Sequence, residues 1–236
     1  IALAKKYVDL LDEVYRVNAL TSILDSDMSL SRAGANTNEI VIPKISMDGL
    51  ADYSRNSGYV SGDVALSWET VKFNYERGRM FTVDVMDDEE TQNVAFGRLA
   101  GEFMRNKVVP EIDAFRFAQY AGTAGISTTA GADLADGSAV LSAITAGMSK
   151  MDEDEVPQEG RLLFITPTLA RMVEALDTNK SREVLAGFSQ IIRVPQSRFY
   201  TAIDLYDGTT NGETAGGYVK NANAKNINFM IIEKSA

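Results

Sequence analysis

Two stretches of alternating side chains, set on either side of a polar, glycine-bearing tip, constrain this chain more than any other feature. Residues 39–46 are strand-like, with Ile40, Val41, Ile42 and Ile45. From 64 to 84 the chain alternates: Val71, Phe73 and Tyr75 fall on one side, Thr70, Lys72, Asn74 and Glu76 on the other. Between them, residues 47–63 hold Gly49, Gly58 and Gly62 together with Tyr53, Arg55 and Tyr59. At about 3.3 Å per residue such strands reach on the order of 25–40 Å. Two strands alone are marginal in water. The pattern therefore has two solutions: a pair within the chain's own sheet, or a protruding arm whose apolar side a neighbouring copy covers.

The flanking segments read more conventionally. Residues 1–25 have helical spacing, with Val8, Leu11, Val14 or Tyr15, and Ala19, and contain neither Pro nor Gly. Residues 26–38 turn to Ser, Asp, Asn and Gly, a linker composition. A long helix is expected over 87–109. Asp84, Asp87, Asp88, Glu89 and Glu90 sit at its positive end, Phe96, Leu99, Ala100 and Phe103 form its stripe, and Arg98, Arg105 and Lys107 come late. Pro110 is expected to end or kink it, with a second helical segment over 111–119 carrying Ile112 and Phe115.

Residues 122–137, rich in Gly, Ala, Ser and Thr, read as a surface connection, and beyond them the pattern is α/β. Leu141, Ile144, Met148 and Met151 make one helix face behind an N-cap at Asp136 or Ser138. Residues 162–165 form a continuous apolar strand. Thr166-Pro167 opens a helix with Leu169, Met172, Val173 and Leu176 on its buried face. A short helix over 184–188, a strand over 191–194 ending at Pro195, a Gly- and Thr-rich loop over 207–217 and a final strand over 227–232 complete the reading.

Composition narrows the chemistry. The 236 residues include no Cys and no His. A disulfide framework, a thiolate nucleophile, a serine–histidine triad and histidine-bound zinc are therefore all excluded. The net charge of −10 comes without any basic run longer than Lys5-Lys6, which disfavours binding to phosphate backbones or anionic membranes. No apolar run approaches the roughly 20 residues of a membrane span.

Each remaining candidate for chemistry has a plainer reading. Asp152-Glu153-Asp154-Glu155 offers oxygen ligands for a hard cation, but adjacent side chains fan apart and no Gly marks a calcium-loop turn. A solvated acidic loop is the expectation. Asp204-Leu205-Tyr206-Asp207-Gly208 matches only part of a calcium loop, because uncharged residues stand in place of the third carboxylate. The pairs Glu111 with Asp113 and Asp87 with Glu90 have the residue types of a glycosidase, but Trp68, the sole Trp, is not among them. Gly122-Thr123-Ala124-Gly125 and Gly131 lack the Lys-Ser/Thr of a phosphate loop. Met148, Met151 and Met172 have core spacing. No catalytic residue, cofactor or metal ligand is assigned.

Three strings carry a resemblance: Lys107-Val108-Val109-Pro110-Glu111-Ile112-Asp113, Phe164-Ile165-Thr166-Pro167, and Val194-Pro195-Gln196-Ser197-Arg198-Phe199. With the order of the segments, they make the chain similar to the major capsid proteins of tailed bacteriophages, which share the Hong Kong 97-type fold. The resemblance implies an α+β chain with an N-terminal arm (1–38), an extended β-hairpin loop (39–84), a spine helix with the peripheral domain (85–135), an axial domain (136–200) and a return to the peripheral domain (201–236). It implies a structural protein, not an enzyme, that self-assembles into hexamers and pentamers of an icosahedral shell around double-stranded DNA. Portal and scaffold proteins are the further partners it implies, and host cytoplasm and virion the places. Some members cross-link through a loop Lys. Here the tip over 47–63 has none, since Lys44 and Lys72 lie in the arms, so cross-linking residues are not carried over.

Tyr53, Arg55, Tyr59 and Trp68 are the expected subunit contacts, because aromatic and Arg side chains favour buried contact centres. Local packing is the competing reading for each. An encapsulin-like nanocompartment and, further off, a carboxylate-dependent hydrolase are the rival functions.

Overall fold

A computed structural model describes residues 18–25, 32–33, 39–73, 75–82, 94–129 and 134–234; for 32–33 and 94–98 it describes the backbone alone. The chain divides into two compact units, Ser26–Thr82 and the remainder, Ile1–Asp25 with Val83–Ala236. It mixes helices and strands in the α+β manner. Most of the expected first helix, most of the linker and the acidic opening of the long helix lie outside the described residues.

In the smaller unit, β1 (Arg32–Ala33), β2 (Glu39–Met47) and β3 (Val64–Lys72) form a three-stranded sheet in that order. β2 and β3 are antiparallel, with Glu39 opposite Lys72, Pro43 opposite Trp68, Ile45 opposite Leu66 and Met47 opposite Val64. The strand expected to run to Asp84 ends at Lys72. Its apolar side also changes: Val71 shares a face with Ile40 and Ile42, whereas nearer the tip the apolar side is that of Val64, Leu66 and Trp68.

The larger unit is built on a sheet ordered β5-β4-β8. β4 (Leu162–Ile165) runs parallel to β5 (Gln190–Arg193) and antiparallel to β8 (Phe229–Ile232). β4 is apolar throughout because both its faces are covered. Leu163 and Ile165 join a core with Val140, Leu141, Ile144, Leu169, Val173 and Phe188. Leu162 and Phe164 join a second core with Phe117, Ile192, Val194, Phe199 and Ile227. In the second, the Phe117 ring lies edge-on to Phe164 at 5.3 Å and to Phe199 at 4.9 Å between centroids.

Four helical elements cover this sheet or lead to it. A rod runs from α1 (Val94–Phe103) through a π-helical stretch, Met104–Val108, into α2 (Val109–Gly122). Pro110 therefore neither ends nor breaks the helix. A proline ring clashes with the carbonyl four residues back. Here the Val109 N–H reaches five residues back to the Met104 carbonyl, and the wider turn admits the ring. α3 (Gly137–Glu153) is capped by Asp136, whose Oδ1 accepts from the Ala139 N–H at 2.8 Å.

α4 (Pro167–Glu174) opens behind Thr166 as expected, although the Thr166 hydroxyl makes no capping bond. α5 begins earlier than expected, at Asn179–Ala186, where Thr178 and Ser181 form a reciprocal capping box. A further antiparallel pair, β6 (Ile203–Tyr206) and β7 (Gly217–Lys220), flanks the 207–216 loop and has no counterpart in the sequence reading. No helix among the described residues is long and apolar enough to cross a membrane.

Candidate interaction surface on the arm

Alternation in an antiparallel pair decides which groups of the β2–β3 arm point where. Asp48 donates its N–H to the Asp63 carbonyl at 3.1 Å, marking 48 and 63 as a hydrogen-bonded pair. Stepping by two residues, 46 with 65, 44 with 67 and 42 with 69 exchange main-chain bonds, and 43 with 68 does not. Pro43, which has no N–H, thus occupies a position whose N–H would point away from β3 and cost nothing to lose.

The non-hydrogen-bonded pairs bring side chains closest on one face. On that face lie Val41, Pro43, Ile45 and Met47 against Thr70, Trp68, Leu66 and Val64, with the Glu39–Lys72 ion pair, 3.5 Å, at its root. Met47 is 72%, Ile45 61%, Leu66 57% and Trp68 47% exposed, and all nine residues of β3 are exposed. The opposite face, with Lys44, Ser46, Ser67 and Glu69, is polar toward the tip. Burying one large aliphatic side chain contributes roughly 1.5–3 kcal/mol. The arm therefore leaves the apolar pairs Ile45–Leu66 and Met47–Val64 exposed on both strands, a surface that gains from a cover.

At the tip, Ser54 and Gly58 close a tight turn, each donating its N–H to the other's carbonyl at 3.2 and 2.7 Å. Gly58 sits at φ +77°, which suits glycine. Arg55 stands within that turn. The Tyr53 and Tyr59 rings meet across it at 4.9 Å. Of the four expected contacts, Tyr53, Arg55 and Tyr59 gather at the tip. Trp68 lies along the arm, on the apolar face opposite Pro43.

Of the acidic candidates, Asp152, Asp154, Asp204 and Asp207 are engaged in structural bonds, and Asp87 and Glu90 lie outside the described residues. Asp152 accepts from Arg161 Nη2 at 2.7 Å and from Gln158 Nε2 at 3.3 Å, and the Arg161 bond holds its carboxyl below the usual range. Arg161 is itself buried, donating also to the carbonyls of Pro157 and Val156. Asp154 accepts from Lys150 at 2.6 Å. Asp204 takes Asn221, while Asp207 takes the Thr210 hydroxyl and the Thr209 and Thr210 N–H groups, which pull its carboxyl far below the ordinary range. No group of three or more potential metal ligands occurs among the described residues. A shallow hollow beside α4 is lined by Pro167, Thr168, Arg171, Met172 and Ala175, which include no carboxylate or other general base.

One arrangement escaped the sequence reading. Asp113, fully buried on α2, accepts from the Leu20 N–H, the Thr21 N–H, the Thr21 hydroxyl and Arg198 Nη1 at 3.1, 3.1, 2.7 and 3.2 Å. Arg116 donates to Asp25 at 2.7 Å, and Lys234 to the Ile23 carbonyl at 3.2 Å. These bonds bolt residues 20–25 to the body. The available signal was an acid set four residues from each of two apolar residues, Val109 and Phe117. No protein-family model matches the chain, and no curated protein or solved structure matches it either.

Proposed function

We propose that this chain is the shell subunit of a tailed bacteriophage, a major capsid protein of the Hong Kong 97 type. Hexamers and pentamers of it would close an icosahedral container around double-stranded DNA. The observation that carries the reading is the exposed apolar face of the β2–β3 arm, which a single copy leaves uncovered. The order of the pieces supports it: an N-terminal segment, an arm, a long helical rod through Pro110, then an α/β body. The mechanism is association. The arm's apolar face lies over another copy, and the tip, with Tyr53, Arg55 and Tyr59, makes the far contact. The acidic balance suits a wall that does not grip its DNA, because affinity for phosphate grows with cationic contacts.

Size-exclusion chromatography and negative-stain microscopy of the purified chain test this. Rings or closed shells are expected, and nucleic acid within shells from infected or induced cells separates a capsid from a cargo-storing compartment. Ile45→Lys with Leu66→Lys is expected to keep the body folded and abolish assembly. A chain that stays monomeric at high concentration would refute the proposal.

A further inference from the structure

An Asp or Asn stands directly before Gly at Asp48-Gly49, Asp136-Gly137, Asp207-Gly208 and Asn211-Gly212. Such a pair is chemically fragile. The glycine main-chain nitrogen has no Cβ beside it and can close a five-membered ring on the side-chain carbonyl carbon of the residue before. Three of the four side chains are tied down. Asp48 Oδ2 accepts from the Asp63 N–H and Asp136 Oδ1 from the Ala139 N–H, each at 2.8 Å. Asp207 accepts from the Thr209 and Thr210 N–H groups and the Thr210 hydroxyl at 2.7, 2.8 and 2.6 Å. Asn211 differs: it is exposed, and neither it nor Gly212 enters a hydrogen bond among the described residues.

The local backbone accounts for the difference. The Glu213 N–H donates to the Thr210 carbonyl at 2.9 Å, closing a turn whose two central residues are Asn211 and Gly212. Gly212 sits at φ +92°, the positive value that a type II turn requires at its third position. The peptide joining the two central residues takes no part in the turn's own bond, so its nitrogen is left to solvent. A Cβ placed on Gly212 would meet nothing within 4 Å, so the approach of the Asn211 side chain to that nitrogen is unobstructed.

We propose that Asn211 is a site of spontaneous deamidation, its only co-reactant being water. The Gly212 nitrogen gives up its proton and attacks Asn211 Cγ. The new C–N bond closes a succinimide as the bond from Cγ to the amide nitrogen breaks and ammonia leaves. Water then opens the ring. Cleavage at Cγ leaves aspartate, and cleavage at the main-chain carbonyl leaves isoaspartate, which lengthens the backbone by one carbon. The net change is amide plus water to carboxylate plus ammonia. It adds one negative charge to the −10 of the chain, in the loop where Glu213 already accepts from the Asp207 N–H at 3.2 Å. The loop thus acquires a charge that depends on the age of the molecule, independently of what the arm contacts.

The full chain, held at 37 °C and mildly alkaline pH and then digested with trypsin, tests this. Cleavage after Arg198 and Lys220 releases residues 199–220, in which Asn211 is the only amide side chain, so a gain of one mass unit on that peptide identifies the site. The gain is expected to be faster there than on any other peptide, and part of the product is expected to label with an isoaspartyl methyltransferase. Asn211→Gln, which would need a six-membered ring, is expected to lose the gain. Because no bond has to break first, the rate in guanidinium is expected to lie within about fivefold of the native rate, the slowing that one protecting hydrogen bond of ordinary strength would cause. Isoaspartate at Asp207, whose carboxyl is held, is expected to rise on unfolding. An unchanged peptide 199–220, a native rate slowed beyond that fivefold, a product that is aspartate alone, or a gain that survives Asn211→Gln would each overturn the proposal.

Discussion

Replacing Asp113 by Asn tests the bolt on residues 20–25 with almost no change of shape. The carboxylate uses one oxygen for the Thr21 N–H and hydroxyl and the other for the Leu20 N–H and Arg198. An amide has one acceptor oxygen. Facing Leu20 and Arg198, its NH2 group leaves both donors unsatisfied; facing Thr21, it leaves the Thr21 N–H unsatisfied while the hydroxyl turns to accept. A buried donor that loses its acceptor costs about 1–3 kcal/mol, more where the donor is charged. Asp113→Asn should therefore cost roughly 2–5 kcal/mol. At about 2–4 °C per kcal/mol for a chain of this size, the melting temperature should fall by roughly 5–20 °C.

Guanidinium unfolding followed by circular dichroism gives the free energy, and hydrogen exchange at the Leu20 and Thr21 amides gives the location. Both amides should lose protection before α2 does. Thr21→Val, which deletes the 2.7 Å hydroxyl bond to Asp113 and the 3.3 Å bond the hydroxyl accepts from Arg116, should cost less and be non-additive with Asp113→Asn. A cost below about 1 kcal/mol for Asp113→Asn would mean that the four bonds are not what holds the segment, and the magnitude argument would fail.

Gly137→Ala should destabilise the body by roughly 1–3 kcal/mol, because a Cβ there would lie 2.3 Å from the Met172 carbonyl oxygen. Gly122→Ala, with nothing within 4 Å, is the control that should not lower the melting temperature. Arg161→Met should leave the partly buried Val156 carbonyl without its donor, at roughly 1–3 kcal/mol, while the carbonyl of the exposed Pro157 can turn to water at less cost. The Asp152 carboxyl, freed of Arg161, should then titrate higher by NMR. The Asp207 carboxyl is depressed by Thr210 and Thr209, so the order it gives the 207–216 loop is complete above the ordinary carboxylate value of about 3.9 and lost only as pH falls through its own lower pKa. The Thr209 and Thr210 amide shifts should therefore stay flat from pH 7 to pH 5 and move only well below pH 4.

The sequence displayed those features whose cause is local. Leu162–Ile165 reads as a buried strand because four consecutive apolar residues can satisfy two cores at once. The cap reads as Asp136 or Ser138, and it is Asp136, whose partner is three residues away. What failed to show depends on distant partners or weak patterns. α5 opens with Asn179, Lys180, Ser181 and Arg182, too polar for an apolar period, and is fixed instead by its capping box. β6 and β7 have four residues each and find one another across a ten-residue loop over 207–216. Asp113 meets Leu20 and Thr21 across more than ninety positions. At Pro110 the local rule expected the helix to end or kink, and the structure carries it on as α2 behind a five-residue π stretch. For the arm, alternation announced two strands, but the apolar face became defined only once the register set Ile45 against Leu66 and Pro43 against Trp68.

The two units also differ in what they need in order to be stable. The body encloses Phe117, Phe164, Phe199, Ile144 and Leu163 completely and holds its buried charges in bonds, so it has the means to fold as a single copy. The arm has a full strand ladder but no enclosed side chain on β3, and a ladder without a core is marginal. If the proposed contact between copies covers it, mass action ties its order to concentration. Body unfolding should be independent of protein concentration, while exchange protection of the Ser46 and Ser67 amides, which bond across the arm, should rise with it. On the proposed reading, such a chain joins a self-sufficient body to a segment whose order rises when copies meet, which would favour assembly after folding and oppose it before.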